Sequence, residues 1–130
     1  MGKILPGLPF EAYLDYRQNH GAHDEQLEIG TKLDNGKNRL GLVFGDFAEA
    51  LWEVGEVATH GAVKYSPGGW LHVEGGYERY LDAMYRHLIA HQAGELADQD
   101  SGHEHLAHAA WNMLAILQLH INSRGAAAGE

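Results

Sequence analysis

Glu49, Glu53 and Glu56 stand at i, i+4 and i+7 in the stretch from Asp46 to Tyr65. At helical pitch this spacing gathers three carboxylates on one face. They run beside an apolar stripe of Phe47, Leu51, Val54 and Ala58, widened by Ala50 and Val57. Like charges so placed repel by roughly a few tenths of a kcal/mol per pair, and no lysine or arginine interleaves to relieve them. The stripe reads either as a solvated face or as one wall of a cation site. The next helical stretch supplies an opposite wall: Glu78, Asp82 and Arg86 recur at i, i+4 and i+8 beside Tyr77, Leu81, Met84 and Leu88. Taken alone, that series is an exposed acid–arginine ladder of little energetic weight. Facing the first stripe across two packed helices, Asp82 would complete an oxygen-only donor set, the kind that suits Mg²⁺ or Mn²⁺.

A second polar constellation lies further along. His105, His108 and Asn112 fall within about 60° of one another at 100° per residue, on a segment otherwise apolar almost all round. Buried polar side chains need partners, so these three form either a shared hydrogen-bond network or a pocket wall that reads a ligand. Zinc chemistry of the HExxH kind is not encoded, because Ala107 occupies the place of the second histidine and no third strong ligand stands nearby in sequence. His23-Asp24 matches the dipeptide of the HD phosphohydrolases, but in a glycine-rich segment. Lys64 either reaches a phosphate or stabilises the C-terminal end of its helix. Trp70 is core or a stacking surface for a base. Lys37, with Lys32 and Arg39, flanks the Asp34-Asn35-Gly36 turn, which reads as a polar loop or as a basic arm closing over phosphates. No P-loop signature, GxSxG or cysteine occurs.

The elements that must position these groups follow from periodicity. Helices are expected over 46–65, 77–93 and 103–121, with glycine and proline breaks at 61–70 and a polar acidic connector at 95–102. Residues 1–45 read as an irregular arm, with a short helix at 11–18, and 122–130 as a frayed tail. The length of 130 residues suits one domain. A net charge of −9 with scattered lysine and arginine argues against a nucleic-acid backbone as partner. No apolar run is long enough for a membrane span, and the N-terminus lacks the pattern of a signal peptide, so the cytoplasm is the expected compartment.

Glu53-Val54-Gly55-Glu56 resembles the ExxE half of the metal motif of MazG-type nucleoside triphosphate pyrophosphohydrolases, whose second half is ExxD on the following helix. Glu78 and Asp82 are four apart here rather than three, which makes Asp82 the safer transfer. A closer resemblance covers most of 30–117. GTKLDNGK, GAVKY with a following tryptophan, YLDAMYRHLIAHQAGE and SG-x-x-HLAHAAWN are similar to the phage-associated dATP/dGTP diphosphohydrolase family, which includes MazG-like enzymes that accompany 2-aminoadenine synthesis. The resemblance implies hydrolysis of a purine deoxynucleoside triphosphate, dGTP by preference, to the monophosphate and pyrophosphate. It also implies two or three Mg²⁺ or Mn²⁺ ions and a compact helical oligomer, often a tetramer.

The expected protein is therefore an all-α, MazG-like helical bundle with an irregular N-terminal segment, working as a dimer or tetramer. Glu53, Glu56 and Asp82 would hold the metals and serve catalysis, with Glu49 and Glu78 as further metal contacts. Lys64, Arg86, His105, His108, Asn112, Lys37 and Trp70 would bind substrate. The alternatives are an HD-type triphosphohydrolase and a non-catalytic acidic helical module.

Overall fold

The computed structural model describes Glu11, Asp15 and residues 33–128. Glu11 and Asp15 are helical; the rest of the short helix expected at 11–18, and the His23-Asp24 pair, lie outside the described residues. The chain divides into two compact units, Met1–Asp46 and Phe47–Glu130. In the first, Asp34 and Gly36 make the turn read from the sequence. Lys37 N–H donates to the Asp34 carbonyl at 3.0 Å, and the positive φ of 81° falls on Gly36, where no Cβ opposes it. A single helical turn, α1 (Gly41–Phe44), follows.

The second unit is helical: α2 (Ala48–Tyr65), a 3₁₀ turn (Gly69–His72), α3 (Gly76–Gln92) and α4 (His105–Ala128). Among the described residues there is no strand, only one isolated bridge, and no helix long and apolar enough to cross a membrane. The all-α class expected from periodicity is what the structure shows. Glu49 in the first turn of α2 and Lys64 in its last complement the helix dipole, and Pro67 prevents continuation. α4 runs past the expected stop at Ile121, because Ala126 to Ala128 favour helix strongly enough to carry it through Gly125.

α4 is the element on which both α2 and α3 pack. Val57, Met84, Ala107, Ala109, Ala115 and Ile116 form the buried apolar core, and the alanines let the neighbouring helices come close. The polar residues His105 and Asn112 are as deeply buried, at 4% and 5% exposure. The leucine-rich sector of Leu106, Met113, Leu114, Leu117 and Ile121 is exposed, and the stripe bearing His105, His108 and Asn112 faces the other helices. A helix apolar nearly all round has too small a moment to choose its own inner face. At the far side of α3 an aromatic cluster closes the core. Trp70, Tyr80 and Trp111 meet edge-on with centroids 5.5 to 6.3 Å apart, and the Tyr80 hydroxyl donates to the Trp70 carbonyl at 2.6 Å.

Candidate functional site

The carboxylates of the first stripe stand where helical pitch puts them. Glu49, Glu53 and Glu56 are exposed along α2, and Glu78, Asp82 and Arg86 are exposed along α3. Among the described residues the one lysine or arginine within 4.0 Å of a carboxylate is Lys37, beside Asp34, so the stripe is not neutralised by a close cation there. Nor do Glu53, Glu56 and Asp82 bring their oxygens within 4.8 Å of one another as a set. Lys64 is exposed with its ammonium 5.1 Å from the centroid of the Tyr65 ring. Lys37 belongs to the first unit and lies 3.6 Å from the Asp34 carboxylate. Trp70, half-buried, meets the rings of Tyr80 and Trp111 edge-on.

The convergent polar site lies elsewhere, where α3, the 95–104 connector and the start of α4 meet. Its construction begins at the end of α3. Gly94, at φ 98°, adopts the left-handed conformation, so its N–H bonds the His91 carbonyl at 3.0 Å and the next N–H, of Glu95, bonds the Ala90 carbonyl at 3.1 Å. This Schellman reversal sets Glu95 against His105. The connector then folds on itself. Asp98 N–H donates to the His103 carbonyl at 2.8 Å, His105 N–H to the Leu96 carbonyl at 2.9 Å, and Gly102 at φ 75° makes the tight turn between. Ser101 holds the loop from inside, its N–H donating to Asp98 Oδ2 at 3.0 Å and its hydroxyl accepting from His103 N–H at 3.2 Å.

Into this frame α3 and α4 deliver three histidines. His105 Nε2 lies 2.9 Å from Glu95 Oε1, and its Nδ1 lies 2.8 Å from His87 Nδ1. The rings of His87 and His108 stack at 4.4 Å, nearly parallel, and His108 Nε2 is 2.7 Å from the Ser101 hydroxyl. His103 and His60 extend the cluster outward by ring contacts at 6.2 and 5.8 Å. Asn112 donates its side-chain N–H to the His108 carbonyl at 2.8 Å. These bonds link His105 to His87 and Glu95, His108 to Ser101, and Asn112 to the backbone of its own helix. Among the described residues no buried side-chain nitrogen or oxygen lacks a partner.

Electrostatics follow from the crowding. Burial first, and then the charge of His87, push His108 down to about 4. His87 is lowered for the same reasons, burial foremost and His105 next. Asp98 ends below the ordinary carboxylate range: burial works to raise it, but the Ser101 N–H and hydroxyl together with His108 and His87 outweigh that. The centre is thus two neutral imidazoles and an ionised carboxylate at neutral pH. The ligand atoms of His87, Asp98 and His105 lie within 4.8 Å of one another, the only such group of three among the described residues. Sequence spacing missed His87, Glu95 and Asp98, because they meet His105 only through the α3–α4 packing and the connector's reversal. The one available signal was His87 itself, three residues after Met84 on the packed side of α3.

The fold and site thus define an all-helical domain whose second and third long helices are clamped by a histidine–carboxylate cluster. The chain belongs to the family described as dATP/dGTP diphosphohydrolase, N-terminal, which matches residues 28–128. A curated relative, the dATP/dGTP diphosphohydrolase of Salmonella phage PMBT28, is 36% identical over 95 residues, covering 73% of this chain and 31% of the relative. The chain therefore spans about a third of that relative's length. No solved structure matches.

Proposed function

We propose that this chain hydrolyses purine deoxynucleoside triphosphates, dGTP first and dATP second, to the monophosphate and pyrophosphate. The observation that carries this reading is the family match, which runs through both helices bearing the acidic residues and through the histidine cluster. In a phage of the kind suggested by the relative, the dGMP would feed 2-aminoadenine nucleotide synthesis in the host cytoplasm. A MazG-like arrangement as a homo-oligomer belongs to the same proposal. Its support is the leucine face of α4, left uncovered within one chain.

The donor set on α2 and α3 is entirely carboxylate oxygen and entirely exposed, which matches the preference of Mg²⁺ or Mn²⁺. Glu53, Glu56 and Asp82 would hold the ions, with Glu49 and Glu78 beside them. Bound there, two or three such ions supply charge neutralisation at the phosphates and a more acidic water. Glu53, or Glu49 one turn earlier, accepts the proton of the attacking water. Arg86 and Lys64 contribute cationic contacts to phosphate oxygens. The network around His105, His108 and Asn112 holds α3 and α4 in register and offers the purine a polar wall beside them.

The test is product identity from the purified chain with a panel of nucleoside triphosphates, with Mg²⁺, with Mn²⁺ and with chelator. Monophosphate plus pyrophosphate, dependent on added metal, is the expected result. Release of whole triphosphate would move the chain to the HD-type chemistry. Absence of turnover with every nucleotide would leave a non-catalytic acidic module.

A further inference from the structure

We propose that His87, Asp98 and His105 form a binding site for one borderline transition ion, with zinc the natural occupant, separate from the carboxylate stripe. Three features of the geometry carry the assignment. The first is convergence: one ligand atom from each residue falls within a single sphere, supplied by α3, the connector and α4. Two imidazole nitrogens and one carboxylate oxygen are a donor set for Zn²⁺, Fe²⁺ or Co²⁺, whereas Mg²⁺ prefers oxygen alone. Three protein ligands leave a fourth position open, as in zinc sites that bind water or a ligand oxygen.

The second feature is the carboxylate behind His105. Glu95 only accepts, so in neutral His105 the proton sits on Nε2 and the Nδ1 lone pair points at His87. Ligating histidines are typically oriented in this way by a carboxylate on the remote nitrogen. Ser101 does the same for Asp98, its N–H donating to Oδ2 at 3.0 Å and so fixing the carboxylate.

The third is that two imidazole nitrogens face each other at 2.8 Å, a separation that requires one shared proton in the metal-free protein. Replacing that proton by a tetrahedral ion moves the two nitrogens to about 3.3 Å apart, from Zn–N bonds of about 2.0 Å. The shift is about half an ångström. A proton displaced from His87 Nδ1 is carried on that ring's own Nε2, which leaves Nδ1 to ligate. The ion would staple the connector to both helices.

The experiment uses tag-free, chelator-treated full-length chain, titrated with Zn²⁺ by calorimetry and with Co²⁺ by visible absorption. The expected result is one equivalent per chain, intense d–d bands, a raised melting temperature, and no competition from millimolar Mg²⁺. His87→Gln and Asp98→Asn should each weaken binding at least tenfold, and Glu95→Gln about ten- to a hundredfold, as removal of an orienting group does. His105→Ala is avoided as the main probe, since its ring is buried. Folding of the other variants is checked by circular dichroism. His72→Gln and His120→Gln, both on exposed residues, should bind as wild type. Unaltered affinity in both His87→Gln and Asp98→Asn, or no saturable uptake by wild type, would overturn the assignment, whatever the chain does to nucleotides.

Discussion

The rings of His87 and His108 are stacked 4.4 Å apart at an angle of 7°, so a proton on either is felt by the other. His108 is held near 4 by burial and by His87, and Asp98, His103 and His105 also face it. The unfolded ring titrates at about 6.5, so between about 4 and 6.5 the unfolded chain binds the extra proton. Stability of the metal-free protein should therefore rise with pH across that window and fall as the pH is lowered through it. His87, lowered likewise, acts in the same direction. The ceiling is about 3 kcal/mol, and about 1–2 kcal/mol is expected once the ring's partial exposure is allowed for. Denaturant midpoints at several pH values check this, with His108→Gln expected to flatten the slope. Parallel slopes in wild type and variant would refute the assignment.

Tyr80 ties the 3₁₀ turn to α3 through its bond to the Trp70 carbonyl. Tyr80→Phe should cost about 1 kcal/mol, the net worth of one hydrogen bond, while leaving the three-ring cluster in place. Burial raises the Tyr80 hydroxyl above its ordinary 10. Above that pH the unfolded phenol ionises first, so its contribution is present below about 10 and fades as alkalinity increases. The stability difference between wild type and Tyr80→Phe should shrink with pH above 10. A difference that stays constant through that range would exclude the coupling.

Glu53 and Asp82 are exposed, so removing their charge should leave folding stability within about 0.5 kcal/mol of wild type. Glu53→Gln and Asp82→Asn should nevertheless lower deoxynucleoside triphosphate hydrolysis at least a hundredfold, the scale on which a proton acceptor or a metal ligand acts. The measurement is pyrophosphate release at saturating Mg²⁺, with melting curves run alongside. Retention of more than half the activity in both variants would remove the carboxylates from the mechanism.

The three long helices were legible because Leu51, Val54, Met84 and Ile116 repeat at helical spacing, and periodicity survives without knowledge of partners. Which face of α4 turns inward was not legible. Leu114 and Leu117 look like core by hydrophobicity alone, yet the structure packs His105, Asn112 and the alanines against α2 and α3. The acidic stripe was readable as a pattern on α2. The histidine cluster was only half visible: His105 and His108 share a helix face, but Glu95 and Asp98 arrive through a connector whose reversal depends on Gly94 and Gly102. Long-range convergence of this kind is decided by backbone turns, and spacing along one helix carries no record of it.

The outward face of α4 bears on assembly. Leu114 and Leu117 are each 51% exposed, beside Met113 and Ile121, which is more contiguous apolar surface than an isolated helix of this size usually leaves in water. Covering each leucine is worth about 1 kcal/mol per chain beyond its present burial. A second copy that brings its own α4 against this stripe would recover that energy from both sides, and the like polar groups at Gln118 and His120 would lie at the rim. Light scattering should give a dimer or tetramer for wild type. The double substitution Leu114→Glu with Leu117→Glu should shift the protein to monomer while helicity is retained, because neither side chain contributes to the inner core. A wild-type monomer at concentrations of tens of micromolar would show that this face meets no copy of itself.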